Sequence, residues 1–148
     1  MTYYRGKTTK ASAEIKSLTA WSDSQLMWPL VRYHACNVLD DADTIWSSGK
    51  YAPASIRIKL TEGPCYVTSI KLQAEMSPVR AKVHHEIRAG LDLDTMCVVG
   101  CIKSCVSHGS WIQVAINGNI QIIEIKTISS PSYVAWRRIQ VYGNVLRV

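Results

Sequence analysis

The sequence predicts an all-β fold, a sandwich or barrel of short antiparallel strands, and three observations carry that prediction. Apolar residues recur at every second position after about residue 30. Turn residues break those runs at short intervals. The helices that a parallel α/β fold needs between its strands are missing from the pattern. With 148 residues, 47% of them apolar and 19% charged, the chain suits a single globular domain over residues 1–148. Residues 1–20 read as a flexible or partner-binding N-terminal segment.

Ser55 to Leu60 is the first clear strand, with Ile56, Ile58 and Leu60 on one face and Ser55, Arg57 and Lys59 on the other. Glu62-Gly63-Pro64 turns the chain into Val67 to Gln73, where Ile70 and Leu72 point inward until Ser77-Pro78 interrupts. Val83 to Ala89 follows, and His85 shares the face of Val83 and Ile87, which makes it a core histidine. Asn117-Gly118 lies between Trp111 to Ile116 and Ile120 to Ile128 and signals a hairpin. Ser129-Ser130-Pro131 closes that run, and Ile139 to Tyr142 is the last strand. The one segment patterned for a helix is Ala11 to Leu18.

Seventeen Lys and Arg against eleven Asp and Glu give a formal charge of +6, which favours anionic partners such as acidic glycans, lipid headgroups or nucleic acid. Beyond Arg5, Lys7, Lys10 and Lys16 the charges come singly on strand-like runs and read as solvated sheet faces, an argument against nucleic acid. No run approaches the roughly 18 to 20 apolar residues of a membrane span. The opening residues have no leader-like apolar core, but a piece of a longer exported or particle-borne protein would read the same, so the compartment is open.

Five cysteines cannot all pair within one chain, and they read as reduced, partly buried thiols. Cys97, Cys101, Cys105 and His108 offer soft ligands to zinc but lack the tight Cys-x-x-Cys spacing of a structural site. No G-x-S-x-G elbow, H-E-x-x-H motif or glycine-rich phosphate loop points to an enzyme.

The stretch His34-Ala35-Cys36-Asn37-Val38-Leu39-Asp40-Asp41-Ala42-Asp43-Thr44-Ile45-Trp46-Ser47-Ser48-Gly49 resembles the discoidin signature A-x-N-x-x-D-G-D-x-x-T-x-W-x-S. His85-Glu86-Ile87-Arg88-Ala89-Gly90 is similar to the Y-E-V-R-V-G strand of the same family, the coagulation factor five/eight type C domains. Ile139-Gln140-Val141-Tyr142-Gly143 resembles its closing E-I-x-V-Y-G. The resemblance implies a jelly-roll β-sandwich of about eight antiparallel strands, with ligands bound on loops at one end. It also implies a non-catalytic module, most often a lectin-like binder of glycans or anionic lipid, with roles in cell adhesion and protein interaction.

Family position makes Asn37, Asp40, Asp43 and Thr44 candidates for a structural Ca²⁺, whose oxygen ligands they could supply. Arg138 stands where the family commonly places a Glu near the ion, so a cation-free loop, with the guanidinium paired to Asp40 or Asp43, is the alternative. No other cofactor is expected. Trp46 is expected in the core. Tyr133 follows Pro131 in a turn-rich loop and could face a sugar ring, with Trp136 its nearest competitor. His34 precedes the signature where some galactose-binding relatives carry a ligand His. Arg80 and His84 could hydrogen-bond sugar hydroxyls, and Trp28 lies on an aromatic-rich loop with Trp21 and Tyr33. The expected partner is a glycan or glycoconjugate. A protein partner or homo-oligomer in a larger assembly, or an anionic lipid or polymer, is the alternative.

Overall fold

The computed structural model describes residues 12–28, 31–40 and 44–144. Its strands are β1 (Ser12–Ile15), β2 (Leu18–Ser22), β3 (Met27–Trp28), β4 (Val31–Arg32), β5 (Trp46–Ser47), β6 (Ala54–Leu60), β7 (Cys65–Ala74), β8 (Arg80–Gly90), β9 (Cys97–Ser107), β10 (Trp111–Ile120), β11 (Ile122–Ser129) and β12 (Ala135–Asn144). One sheet has the order β1-β12-β7-β10, with β5 added to β12, and the other the order β2-β6-β11-β8-β9. Every pairing is antiparallel. The two five-stranded sheets stack as a jelly-roll sandwich, and β3 with β4 forms a small separate ribbon. A short 3₁₀ turn spans Ala35–Leu39.

Alternation builds the core. Ile56 and Ile58 of β6, Ile87 of β8, and Ile123 and Ile125 of β11 face Ile70 and Leu72 of β7 and Val141 of β12, all without solvent exposure. Each such side chain contributes about 1.5–3 kcal/mol through removal of apolar surface from water. Trp46 is fully buried, as expected, and its indole N–H donates to Ser22 Oγ at 3.0 Å. At Gly143 any Cβ would stand 2.5 Å from the Tyr66 carbonyl oxygen, so close strand approach demands glycine there.

Two local expectations are corrected. Of the stretch Ala11 to Leu18, the described residues 12–18 are not a helix, because Ser12–Ile15 pairs with Val141 to Asn144 and Leu18 opens a second strand against Leu60. Tertiary pairing overrides a weak local preference there, and residues 12–20 of the N-terminal segment therefore enter both sheets. Asn117-Gly118 is not a hairpin turn, because β10 runs through it with a register shift between Ala115 and Gly118. Asn117 has φ 52°, and a left-handed Asn followed by Gly serves a bulge as well as a turn. Strands β10 and β11 consequently lie in opposite sheets.

Strand direction fixes which loops meet. β2 and β7 end where β6, β8, β10 and β12 begin, so the described residues of 23–28, 31–40 and 44–45 and the segments around 48–53, 75–79, 108–110 and 130–134 gather at one end of the sandwich.

Candidate functional site

Backbone hydrogen bonds stitch these loops into one surface. Ser48 N donates to the Val134 carbonyl (2.8 Å) and Val134 N to the Lys50 carbonyl (3.0 Å). His108 N donates to the Val79 carbonyl, Gly109 N to the Ala74 carbonyl, and Ser77 N to Ser132 Oγ. Gly49, at φ 75°, lets the β5–β6 loop pass within 3.1 Å, measured from a hypothetical Cβ, of the Leu26 backbone. Such cross-bracing holds loop side chains on a rigid frame.

Two aromatic side chains stand out from this surface. Tyr51 is 63% and Tyr133 42% exposed, and their rings meet edge to face with centroids 5.0 Å apart. On the β7–β8 loop, Glu75 Oε1 accepts from Arg137 Nε (3.1 Å) and Nη2 (2.9 Å). His108 Nε2 lies 4.0 Å from the same oxygen, while its Nδ1 accepts from Met76 N at 3.1 Å. The bond from Ser77 to Ser132 joins the Glu75 loop to the residue beside Tyr133.

Beneath these loops lies a cleft of about 10 Å³, room for one water, lined among others by Glu75, His85, Thr127 and Trp136. His85 is 7% exposed, shares a hydrogen bond of 2.8 Å with Thr127 Oγ1, and packs 4.7 Å from the Trp136 ring. Burial, and secondarily the neighbouring His84, lowers its pKa to about 4. It is the core histidine that strand alternation predicts.

The other expected site residues scatter. Trp136 is corrected: at 1% exposure it lies in the core, on the inward face of β12, and offers no ring face to a ligand. Arg80 donates to Ser107 Oγ and His84 Nε2 lies 3.3 Å from Cys101 Sγ, so both sit on the outer face of the second sheet. His34 is exposed and shares a bond with Gln25. Among the described residues no hydrogen bond links Tyr133 to Arg80, His34 or His84. The Trp28 side chain lies outside the described residues, as does Asp43.

In the signature loop, Asn37 Nδ2 donates to the Ile45 carbonyl (2.8 Å) and Thr44 Oγ1 to the Asn37 carbonyl (3.2 Å). Asp40 is exposed, and Arg138 is half-buried opposite Gln73. The Thr44 hydroxyl and the Asn37 carbonyl keep lone pairs beyond this bond, and with Asp43 outside the described residues they do not by themselves complete a calcium site. Nor do the described residues contain a cluster of three or more His, Cys, Asp or Glu suited to a metal. All five cysteines carry free thiols, four of them exposed, with Cys65 half-buried and its pKa raised by burial. No described helix is long and apolar enough to cross a membrane.

Sequence reasoning missed Tyr51 and the pairing of Glu75 with Arg137, and it read His108 only as a possible zinc ligand beside Cys97, Cys101 and Cys105. Tyr51 had a readable signal, since it follows Gly49-Lys50 and precedes Ala52-Pro53 in a turn-rich stretch.

No protein-family model matches the chain. No curated protein matches it in sequence. Solved structures do match. A family 32 carbohydrate-binding module of Clostridium perfringens in complex with galactose superposes with a TM-score of 0.74 at 17% identity, covering 89% of this chain and 99% of that one. An F-lectin from striped bass (Morone saxatilis) serum gives 0.72 at 19%, covering 90% of this chain and 47% of the lectin. A chitosan-binding module from a Paenibacillus chitosanase/glucanase gives 0.68 at 17%, covering 86% and 96%. The chain therefore has the galactose-binding-like fold of discoidin domains.

Proposed function

We propose that this chain is a non-catalytic carbohydrate-binding module that holds a glycan in a shallow site on the loop end. The observation that carries the reading is the exposed Tyr51–Tyr133 pair on braced loops that also hold the Glu75–Arg137 pair and His108. An aromatic face suits the C–H patch of a pyranose, while a guanidinium donates to and a carboxylate accepts from ring hydroxyls. The cleft below is too small for a sugar ring, so the ligand lies on the loops rather than in them. The galactose and chitosan named for two structural neighbours support the ligand class, and loop residues such as these decide which glycan is taken.

A glycan array followed by calorimetry on the best binder tests the reading. Tyr133→Ala lowers affinity about ten-fold or more, Tyr51→Ala and Glu75→Gln weaken it, and Trp111→Ala, an exposed aromatic on β10, leaves it unchanged. An array without a binder, or a Tyr133→Ala protein that binds as wild type, overturns it.

A further inference from the structure

We propose a second binding surface, the outer face of the β2-β6-β11-β8-β9 sheet, for a linear acidic polysaccharide. In the sequence the basic residues are dispersed, but strand alternation collects them. Residues paired across neighbouring strands share a face, which places Lys59 of β6, Lys126 of β11, Arg80 and Lys82 of β8, and Lys103 of β9 on this side. Among the described residues none of the five forms an ion pair.

The acids of this face are already engaged. Glu124, its side chain only 7% exposed on the central strand, pairs with Arg57 Nη2 at 3.1 Å and, at the longer ion-pair distance of 3.6 Å, with Arg88 Nη1. Asp23 takes the other side of Arg57 at 3.1 Å and Glu86 that of Arg88 at 3.6 Å. Two arginines thus meet three carboxylates in one ion-pair network, and what projects beyond it is positive.

The remaining cations form a stripe. Along β8 the outward positions fall about 7 Å apart, and Lys103 stands opposite His84 while Lys126 stands opposite Glu86. From the Lys126 row to Arg80 the stripe runs about 20 Å, long enough to meet several charges of an extended polymer at once. Such a surface attracts a polyanion through summed, salt-sensitive contacts.

The chemistry favours polysaccharide over nucleic acid. Single-stranded nucleic acid is held by a basic groove with aromatic platforms for the bases, and β8, β9 and β11, which carry the stripe, contain no Trp, Tyr or Phe; Trp21 of β2, opposite Arg57, stands at the far edge of the sheet. The stripe lies on a sheet face, and among the described residues no helix stands on it to enter a duplex groove. The choice of a glycan as the polyanion rests on the reading proposed above; the basic stripe itself does not.

The experiment compares polygalacturonate and dextran sulfate with neutral dextran by calorimetry between about 50 and 200 mM salt. Wild type binds both acidic polymers, more weakly as salt rises, and does not bind dextran. The triple variant Lys82→Gln, Lys103→Gln, Lys126→Gln, checked for an unchanged melting temperature, loses about ten-fold in affinity with a shallower salt slope, and the corresponding triple Lys→Arg variant retains binding. Tyr133→Ala leaves polyanion binding intact, so failure at the loop end and failure on the sheet read out separately. Equal binding of dextran, an unaffected triple Gln variant, or tighter binding of a single-stranded oligonucleotide or of phosphatidylserine vesicles overturns the assignment.

Discussion

His85 should make the stability of this protein fall as the pH drops through the mildly acidic range. The folded chain holds the imidazole neutral down to about pH 4, because burial beside Trp136 and the nearby His84 penalise its charged form. In the unfolded chain the ring takes a proton near its ordinary value of 6.5. Between those two values the unfolded state binds more protons, so the stabilisation is complete above the unfolded value and is lost as pH falls from 6.5 towards 4. Each pH unit costs about 1.4 kcal/mol, which over this window makes about 3 kcal/mol. For a chain of this size that lowers the melting temperature by roughly 8 °C.

Carboxylates titrate at the lower end of the same range, so the informative quantity is a difference between two proteins. In the double variant His85→Phe, Thr127→Val the aromatic packing against Trp136 is kept, and both partners of the buried hydrogen bond are removed together. No polar group is then left unsatisfied, which alone would cost about 1–3 kcal/mol. Urea unfolding of both proteins between about pH 4.5 and 7.5 should show a steeper decline for wild type. Identical slopes would refute the account of a neutral, buried imidazole.

Glu124→Gln removes the carboxylate shared by Arg57 and Arg88, and should destabilise the fold by about 2 kcal/mol in denaturant unfolding, less than a fully buried pair because both guanidiniums reach solvent. Calcium is expected to leave the melting temperature within about 1 °C of that in chelator, because Arg138 stands where the family commonly places a Glu near the ion; a saturable rise of several degrees would place an ion in that loop.

The strand pattern was legible wherever one face is buried, since burial imposes period two on Ile56-Ile58-Leu60 and on Val83-His85-Ile87. It was misleading where local chemistry serves two structures, as at Asn117-Gly118, and where long-range pairing decides, as at Ser12–Ile15. β9 was legible as strand-like sequence but not in its bounds, because Cys97 to Ser107 is an edge strand in which Ile102 and Val106 are the buried positions, too few to set a period. The site was legible only in part for a related reason. Tyr133 could be flagged from its turn-rich loop, but the meeting of Tyr51 with Tyr133, or of Glu75 with Arg137, joins residues far apart in sequence and depends on how loops cross at the sandwich end. Trp136 was misjudged because the strand begins at Ala135, which turns the next side chain inward.

A basic stripe on a sheet has a competing explanation, which the topology weighs. Edge strands commonly carry lysine to discourage pairing with another chain, and β9 is an edge, so Lys103 needs no ligand to explain it. That explanation stops at β9. Lys82 belongs to β8, hydrogen-bonded on both sides by β9 and β11, and Lys126 belongs to β11, enclosed by β6 and β8. Neither guards an edge, and each adds to the repulsion among neighbouring cations on the same face. Solubility alone would be served as well by interspersed glutamates, yet the face pairs its acids with Arg57 and Arg88, and among the described residues its lysines make no ion pair. Removal of Lys103 alone therefore discriminates between the two roles: edge protection predicts a greater tendency to associate with polyanion affinity little changed, whereas the binding stripe predicts a monomer whose affinity and salt slope both drop.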